Sequence, residues 1–118
     1  MNWIDSPQVA LVQRMLDLDA SRQSLISTNI ANVDTPGYHT RDIDFRGELQ
    51  RAMDGDYQNS VGPFVMPVRG LNERPDGNNV NVDRESMLLA EIQLQFKTAT
   101  AILRAKFSQI SIAIREGQ

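Results

Sequence analysis

Few side chains in this 118-residue sequence have the types and spacing that reactions need. His39, the only histidine, follows Tyr38 just after a Pro-Gly break, where a solvated or hydrogen-bonded imidazole is expected rather than a base or a ligand. Asp42 and Asp44 are close enough to suggest a general acid and base. In "TRDIDFRGEL", however, they suit the cap and charged first turn of a short helix over 44–53. No His/Asp/Glu cluster has metal-ligand spacing, and the absence of cysteine removes disulfides and thiolate sites. "RGLNERPDGNN" lacks both the spacing and the following Lys-Ser/Thr of a phosphate-binding loop. Arg41, Arg46 and Arg51 alternate with acids, and a net charge of −3 argues against a nucleic-acid backbone as the main partner. Met15, Met53, Met66 and Met87 are scattered and read as core or gap-filling residues. The expectation is a chain that is not an enzyme, with no cofactor, no metal, no nucleic acid and no small-molecule ligand.

The residues left to explain are uncharged and polar, in "NIANVDTPGYHTRD", residues 29–42. Thr35 precedes Pro36 and is pushed out of the helical region. Asp34 can close an Asx-type turn, and Pro36-Gly37 suits the centre of a type II turn. Tyr38 would then pack its ring on the helix just ended. Stopping a helix does not by itself require Asn29 and Asn32, which lie three apart on one helix face. Their amides can bond carbonyls of the turn or of a neighbouring chain.

The elements that position this turn are two long helices. Ser6 suits the N-cap and Pro7 the first helical position. From there to about Asn32 neither Gly nor Pro intervenes, and Ile4, Leu11, Leu18 and Leu25 recur seven apart. Roughly 26 residues in this helix give a rod of about 39 Å. Trp3, just before it, reads as a hydrophobic staple or as a side chain packing on a neighbour. The second helix opens with Asp83 as cap and Glu85 in its first turn and meets no Gly or Pro before Gly117. Leu89, Phe96, Leu103 and Ile110 form one row, and Ile92, Ala99, Lys106 and Ala113 a second. "ISIAI" at 110–114 alternates like a strand, but its place at the end of a long helical pattern makes it helix. Between the helices, from about residue 46 to 82, Gly and Pro concentrate in two Asp-Gly steps and other turn signals. "FVMPVR" is expected to supply one edge strand or hairpin arm, with Pro67 keeping it from a sheet interior.

Hydrophobic residues make up 41% and charged residues 23%, the balance of a small globular chain. No run approaches the length of a membrane-spanning helix, and "MNWIDSPQVALVQRMLDLDA" lacks the pattern of a cleaved secretory signal. Two helices side by side cover one seam each. The second also carries Leu88, Leu94, Ala101, Ile102, Phe107, Ile112 and Ile114 away from its first row. A helix apolar nearly all round requires burial on several sides, so the termini are expected to be subunit–subunit surfaces.

"SLISTNIANVDTPGY", Ser24–Tyr38, resembles the N-terminal signature of the flagellar axial proteins, the rod, hook and hook-associated subunits. "YHTRDIDFRGELQRAM" and "DGNNVNVDRESMLLAEIQLQF" are similar to segments of the basal body rod proteins, those of the proximal rod above all. The resemblance covers the first 53 and last 43 or so residues, with Phe96 where the family often has tyrosine. It implies a mainly α fold in which the terminal helices pair as an antiparallel, coiled-coil-like core around an irregular central region, with at most one short hairpin. The divisions are 1–33, an N-terminal core helix; 34–82, the motif turn and connector; and 83–118, a C-terminal core helix.

The resemblance further implies a structural subunit polymerising helically in the periplasmic rod. Its partners would be itself, rod proteins of the FlgC, FlgF and FlgG type, the adaptor FliE, the MS ring and the flagellar type III export apparatus, which it would leave without a cleaved signal. Asn29, Ile30, Ala31, Asn32, Thr35, Pro36, Gly37 and Tyr38 would be motif and subunit-contact residues. Leu11, Leu18, Leu25, Leu89, Phe96, Leu103 and Ile110 would be the assembly face. A FlgC-like rod protein, or a soluble helical adaptor or export chaperone, are the alternative readings.

Overall fold

The computed structural model describes residues 6–55 and 62–117. Its elements are α1 (Pro7–Ala31), β1 (Arg41–Ile43), α2 (Phe45–Met53), β2 (Val65–Pro67) and α3 (Val82–Glu116). The chain is mainly helical, as expected, and the small sheet lies between the long helices in sequence. Trp3 and Ile4 lie outside the described residues.

Helix α1 begins as its sequence requires. Ser6 Oγ accepts from Val9 N at 3.2 Å, and Pro7 occupies the first turn, where no donor is needed. Helix α3 starts at Val82, ahead of the expected Asp83 cap. Asn81 is the cap, because its Oδ1 reaches both Asp83 N (3.0 Å) and Arg84 N (3.2 Å). Asp83 and Glu85 then fall in the first turn, where the helix dipole favours acids. Residues 110–114 are helical.

The long helices run antiparallel. Asn29 of α1 meets Glu85 of α3 at one end, and Gln8 meets Lys106 near the other. Val9, Leu18 and Ile26 of α1 and Ile92 and Ala99 of α3 are buried, each large aliphatic among them contributing about 1.5–3 kcal/mol. On α3 the buried row is thus the second one, extended back to Glu85. The first row flanks this seam: Leu89, Leu103 and Ile110 are half-buried and Phe96 is 46% exposed.

The middle of the chain carries more order than its turn signals suggest. β1 and β2 pair antiparallel, with Asp42 opposite Met66. β2 is the edge strand expected of "FVMPVR", and its pairing with β1 is not a local hairpin, since α2 lies between the two in sequence. Helix α2 matches the expected 44–53, with Asp44 as cap accepting from Gly47 N at 3.2 Å. Asp42 takes no part in that cap. Its carboxylate is held by Arg22 of α1, Nε and Nη2 each at 3.0 Å, which ties β1 to the first helix.

Candidate functional site

The last turn of α1 and the break after it fold into a dense polar joint. Asn32 ends the helix, its N–H shared between Thr28 O (3.1 Å) and Asn29 O (3.2 Å). Its Nδ2 reaches back to Thr28 O (2.8 Å), and its Oδ1 accepts from Thr35 Oγ1 (3.0 Å). The side chain closing this turn is therefore Asn32, while Asp34 is exposed. Tyr38 N donates to Thr35 O at 3.2 Å, and Gly37 has φ +74°, the type II geometry that Pro36-Gly37 predicts.

Asn29 is the centre of the joint. Fully buried, it uses both ends of its amide twice. Nδ2 donates to Arg41 O (2.9 Å) and Glu85 Oε2 (3.2 Å). Oδ1 accepts from the Tyr38 hydroxyl (2.9 Å) and Arg41 N (3.1 Å). One side chain thereby joins α1, the turn, β1 and α3. Glu85 is its counterpart on α3, with no exposed surface. Oε1 accepts from Thr40 Oγ1 (2.6 Å) and Arg84 Nη1 (3.1 Å), so the buried charge is paired and hydrogen-bonded. Thr40 N in turn donates to Asn79 Oδ1 at 2.7 Å.

A second segment, "RPDGNNV", grips the turn from outside. Asn78 Nδ2 donates to Asn32 O (2.9 Å) and Thr35 O (2.8 Å), and Gly37 N donates to Asp76 O (2.8 Å). Arg74 Nη2 donates to Val33 O. Gly77, at φ +84°, lies against Gly37 so closely that a Cβ there would stand 3.4 Å from the Gly37 Cα. Two glycines in the left-handed region thus meet back to back. At the surface of this joint His39 Nε2 lies 3.1 Å from Glu73 Oε1, an exposed pair worth little.

The sequence motif therefore faces two ways. Asn29 is buried and Ile30, Asn32 and Tyr38 are half-buried, while Ala31, Thr35, Pro36 and Gly37 are exposed. Of the apolar positions expected on an assembly face, Leu18 is wholly inside the subunit's own seam. Leu11 and Leu25 are half-buried. The seven-residue row of Ile92 and Ala99, extended one step back, ends on Glu85, which was the available signal for that residue. Asn78 and Asn79 carried only a turn signal. The partners that tie them to the turn lie more than 35 residues away, as do Asn29 and Thr40 from Glu85. With Glu85 saturated by donors, the arrangement is suited to holding backbone in place. Among the described residues no group of three or more His, Cys, Asp or Glu side chains is placed to hold a metal ion.

Comparison with known proteins places this geometry in a family. Residues 16–39, most of α1 and the turn, match the family model described as "Flagella basal body rod protein". The chain is 34% identical to the flagellar basal body rod protein FlgB of Escherichia coli, covering 89% of this chain and 91% of that one. It is 32% identical to the protein of the same name from Yersinia ruckeri over the same shares. The Borrelia hermsii protein of that name is 31% identical, with 91% of this chain and 95% of its own length covered.

Proposed function

The chain belongs to the FlgB family of flagellar basal body rod proteins and is a structural subunit of that rod; we propose that it polymerises helically in the proximal part, beside the export gate and the MS ring. Its neighbours are copies of itself, rod proteins of the FlgC, FlgF and FlgG type and the adaptor FliE. It reaches them through the flagellar type III export apparatus, and it catalyses no reaction. Within the subunit, the paired segments 1–33 and 83–118 act as one core and 34–82 as the outer region.

The observation that carries this reading is the mismatch between a saturated polar joint and an uncovered helix. Every polar atom of Asn29 is used inside the chain. Meanwhile Leu94 (67% exposed), Phe107 and Ile112 leave apolar surface on α3 that α1 does not reach. Such surface is costly in water and marks a contact. The exposed Thr35–Gly37 tip and the Phe96, Leu103 and Ile110 row are the subunit contacts in this reading.

An in-frame deletion, examined by electron microscopy of basal bodies and complemented with the intact gene, tests it. MS rings without rods or filaments are expected. Complete, motile flagella in the deletion strain would overturn the reading in favour of an adaptor or chaperone.

A further inference from the structure

Midway along the α1–α3 seam lies a polar contact unlike the joint at its end. Asp19 has no exposed surface, and neither carboxylate oxygen has a hydrogen-bond partner among the described residues. The same holds for Gln95 Oε1, a buried acceptor on α3. The helix register relates the two. Asn29 lies beside Glu85 and Gln8 beside Lys106, so each step back along α1 is matched by a step forward along α3. Ten steps back from Asn29 is Asp19; ten steps forward from Glu85 is Gln95. Two buried acceptors at one level of a helix pair repel each other and leave desolvation uncompensated. A single proton removes both problems.

We propose that Asp19 and Gln95 form a protonation-dependent lock across the α1–α3 seam, closed when the neutral Asp19 carboxylic acid donates its proton to Gln95 Oε1 and strained when Asp19 is ionised.

The surroundings favour the neutral form. Burial pushes the Asp19 carboxyl above its ordinary value, and Arg22, one turn on, only partly opposes this. Arg22 is committed elsewhere: its guanidinium holds Asp42 of β1 in two hydrogen bonds and has Glu91 of α3 nearby. On the α2 side, Glu48 is paired with Arg14 and Arg51. The Arg14 Nε is likewise buried without a partner among the described residues, and the cation that acts on the Asp19 carboxyl is Arg22. The sign follows from linkage. A carboxyl whose folded value is raised adds stability below its unfolded value near 3.8, and that stability is lost as pH rises through the folded value. The seam is tightest in mild acid and loosens towards neutrality, whichever neighbours the subunit meets.

The test is the pH dependence of helix content and of the denaturation midpoint of the full chain, wild type against Asp19→Asn. The asparagine keeps a donor for Gln95 and cannot ionise. The variant is expected to match the wild type at the acid end and exceed it near neutrality, with the difference between the two curves corresponding to up to one proton. Curves that run parallel, at high or low helix content, overturn the proposal. In Gln95→Lys an ammonium faces the carboxylate, and the contribution of Asp19 should reverse, strongest near neutrality. An unreversed slope would place Asp19 away from Gln95 and overturn the pairing.

Discussion

Replacing Asn29 with alanine should be among the most damaging single changes in this subunit, and the damage should fall on the subunit's own fold before it reaches assembly. The side chain makes four hydrogen bonds, all inside the chain. Three go to neutral partners, at about 0.5–1.5 kcal/mol net each, and one to the Glu85 carboxylate, at about 1.5–3 kcal/mol. These bonds act as a unit, so their losses do not simply add. A loss of about 3–5 kcal/mol is expected, set against a typical domain stability of about 5–15 kcal/mol. Asn32→Ala provides the internal control. That residue is half-buried and its side-chain bonds are local, to Thr28 O and Thr35 Oγ1, so its replacement should cost about 1 kcal/mol or less. Denaturant titration of the purified full-length variants, followed by helix content, measures both. The reasoning fails if the two variants lose equal stability, or if Asn29→Ala unfolds like the wild type while still failing to build rods. Either result would make the asparagine amide a contact with another subunit.

Gly77→Ala should cost about 1–2 kcal/mol for the left-handed backbone, since a Cβ 3.4 Å from the Gly37 Cα would stand in ordinary contact. Gly37→Ala, with nothing within 4 Å of its Cβ, should show a similar backbone cost; thermal unfolding unchanged by either variant would contradict the need for a left-handed backbone at the two positions. Asp42→Asn should destabilise the chain by about 1–3 kcal/mol, because it breaks a two-point, partly buried bond to Arg22 that also anchors β1. An unchanged denaturation midpoint would show that β1 does not need that anchor. Leu103→Asp or Ile110→Asp should block incorporation into rods while leaving the helix content of the free subunit largely intact, since assembly would bury an unpaired charge. Normal rods containing either variant would refute the assembly face.

What the sequence disclosed and what it hid divide along physical lines. Local signals were legible: Ser6-Pro7 starts α1, Asp44 caps α2, and Pro36-Gly37 makes its turn, because each depends on neighbours within a few residues. Helical period was legible too, but it named two candidate faces on α3 and could not choose between them. The choice fell to the row that carries Glu85, whose burial depends on Asn29 and Thr40, 56 and 45 residues away. The pairing of β1 with β2 was hidden for the same reason: three-residue strands carry little pattern, and Arg41–Ile43 reads as the approach to a helix. Asn29 and Asn32 looked equivalent because both lie on one face of the sequence helix. Only the return of Arg41 and Glu85 to one of them separates their roles.

This division bears on how the subunit works as a building unit. The joint of Asn29, Tyr38, Thr40, Asn78 and Glu85 fixes the angle between the end of α1 and the start of α3 through bonds that owe nothing to a neighbour. At the other end the connection between the helices is an exposed contact, Gln8 with Lys106. Beyond Lys106 α3 runs past α1, and there Phe107, Ile112 and Ile114 are all half or nearly half exposed. A polar network demands specific partners and suits geometry that must be set before assembly. Apolar surface asks only for area and shape, and suits contacts with neighbours met later. The sequence places the first kind at the motif and the second at the C-terminal half of α3. In the reading proposed here, therefore, the motif sets the subunit's own geometry, while the identity of its neighbours is written in α3.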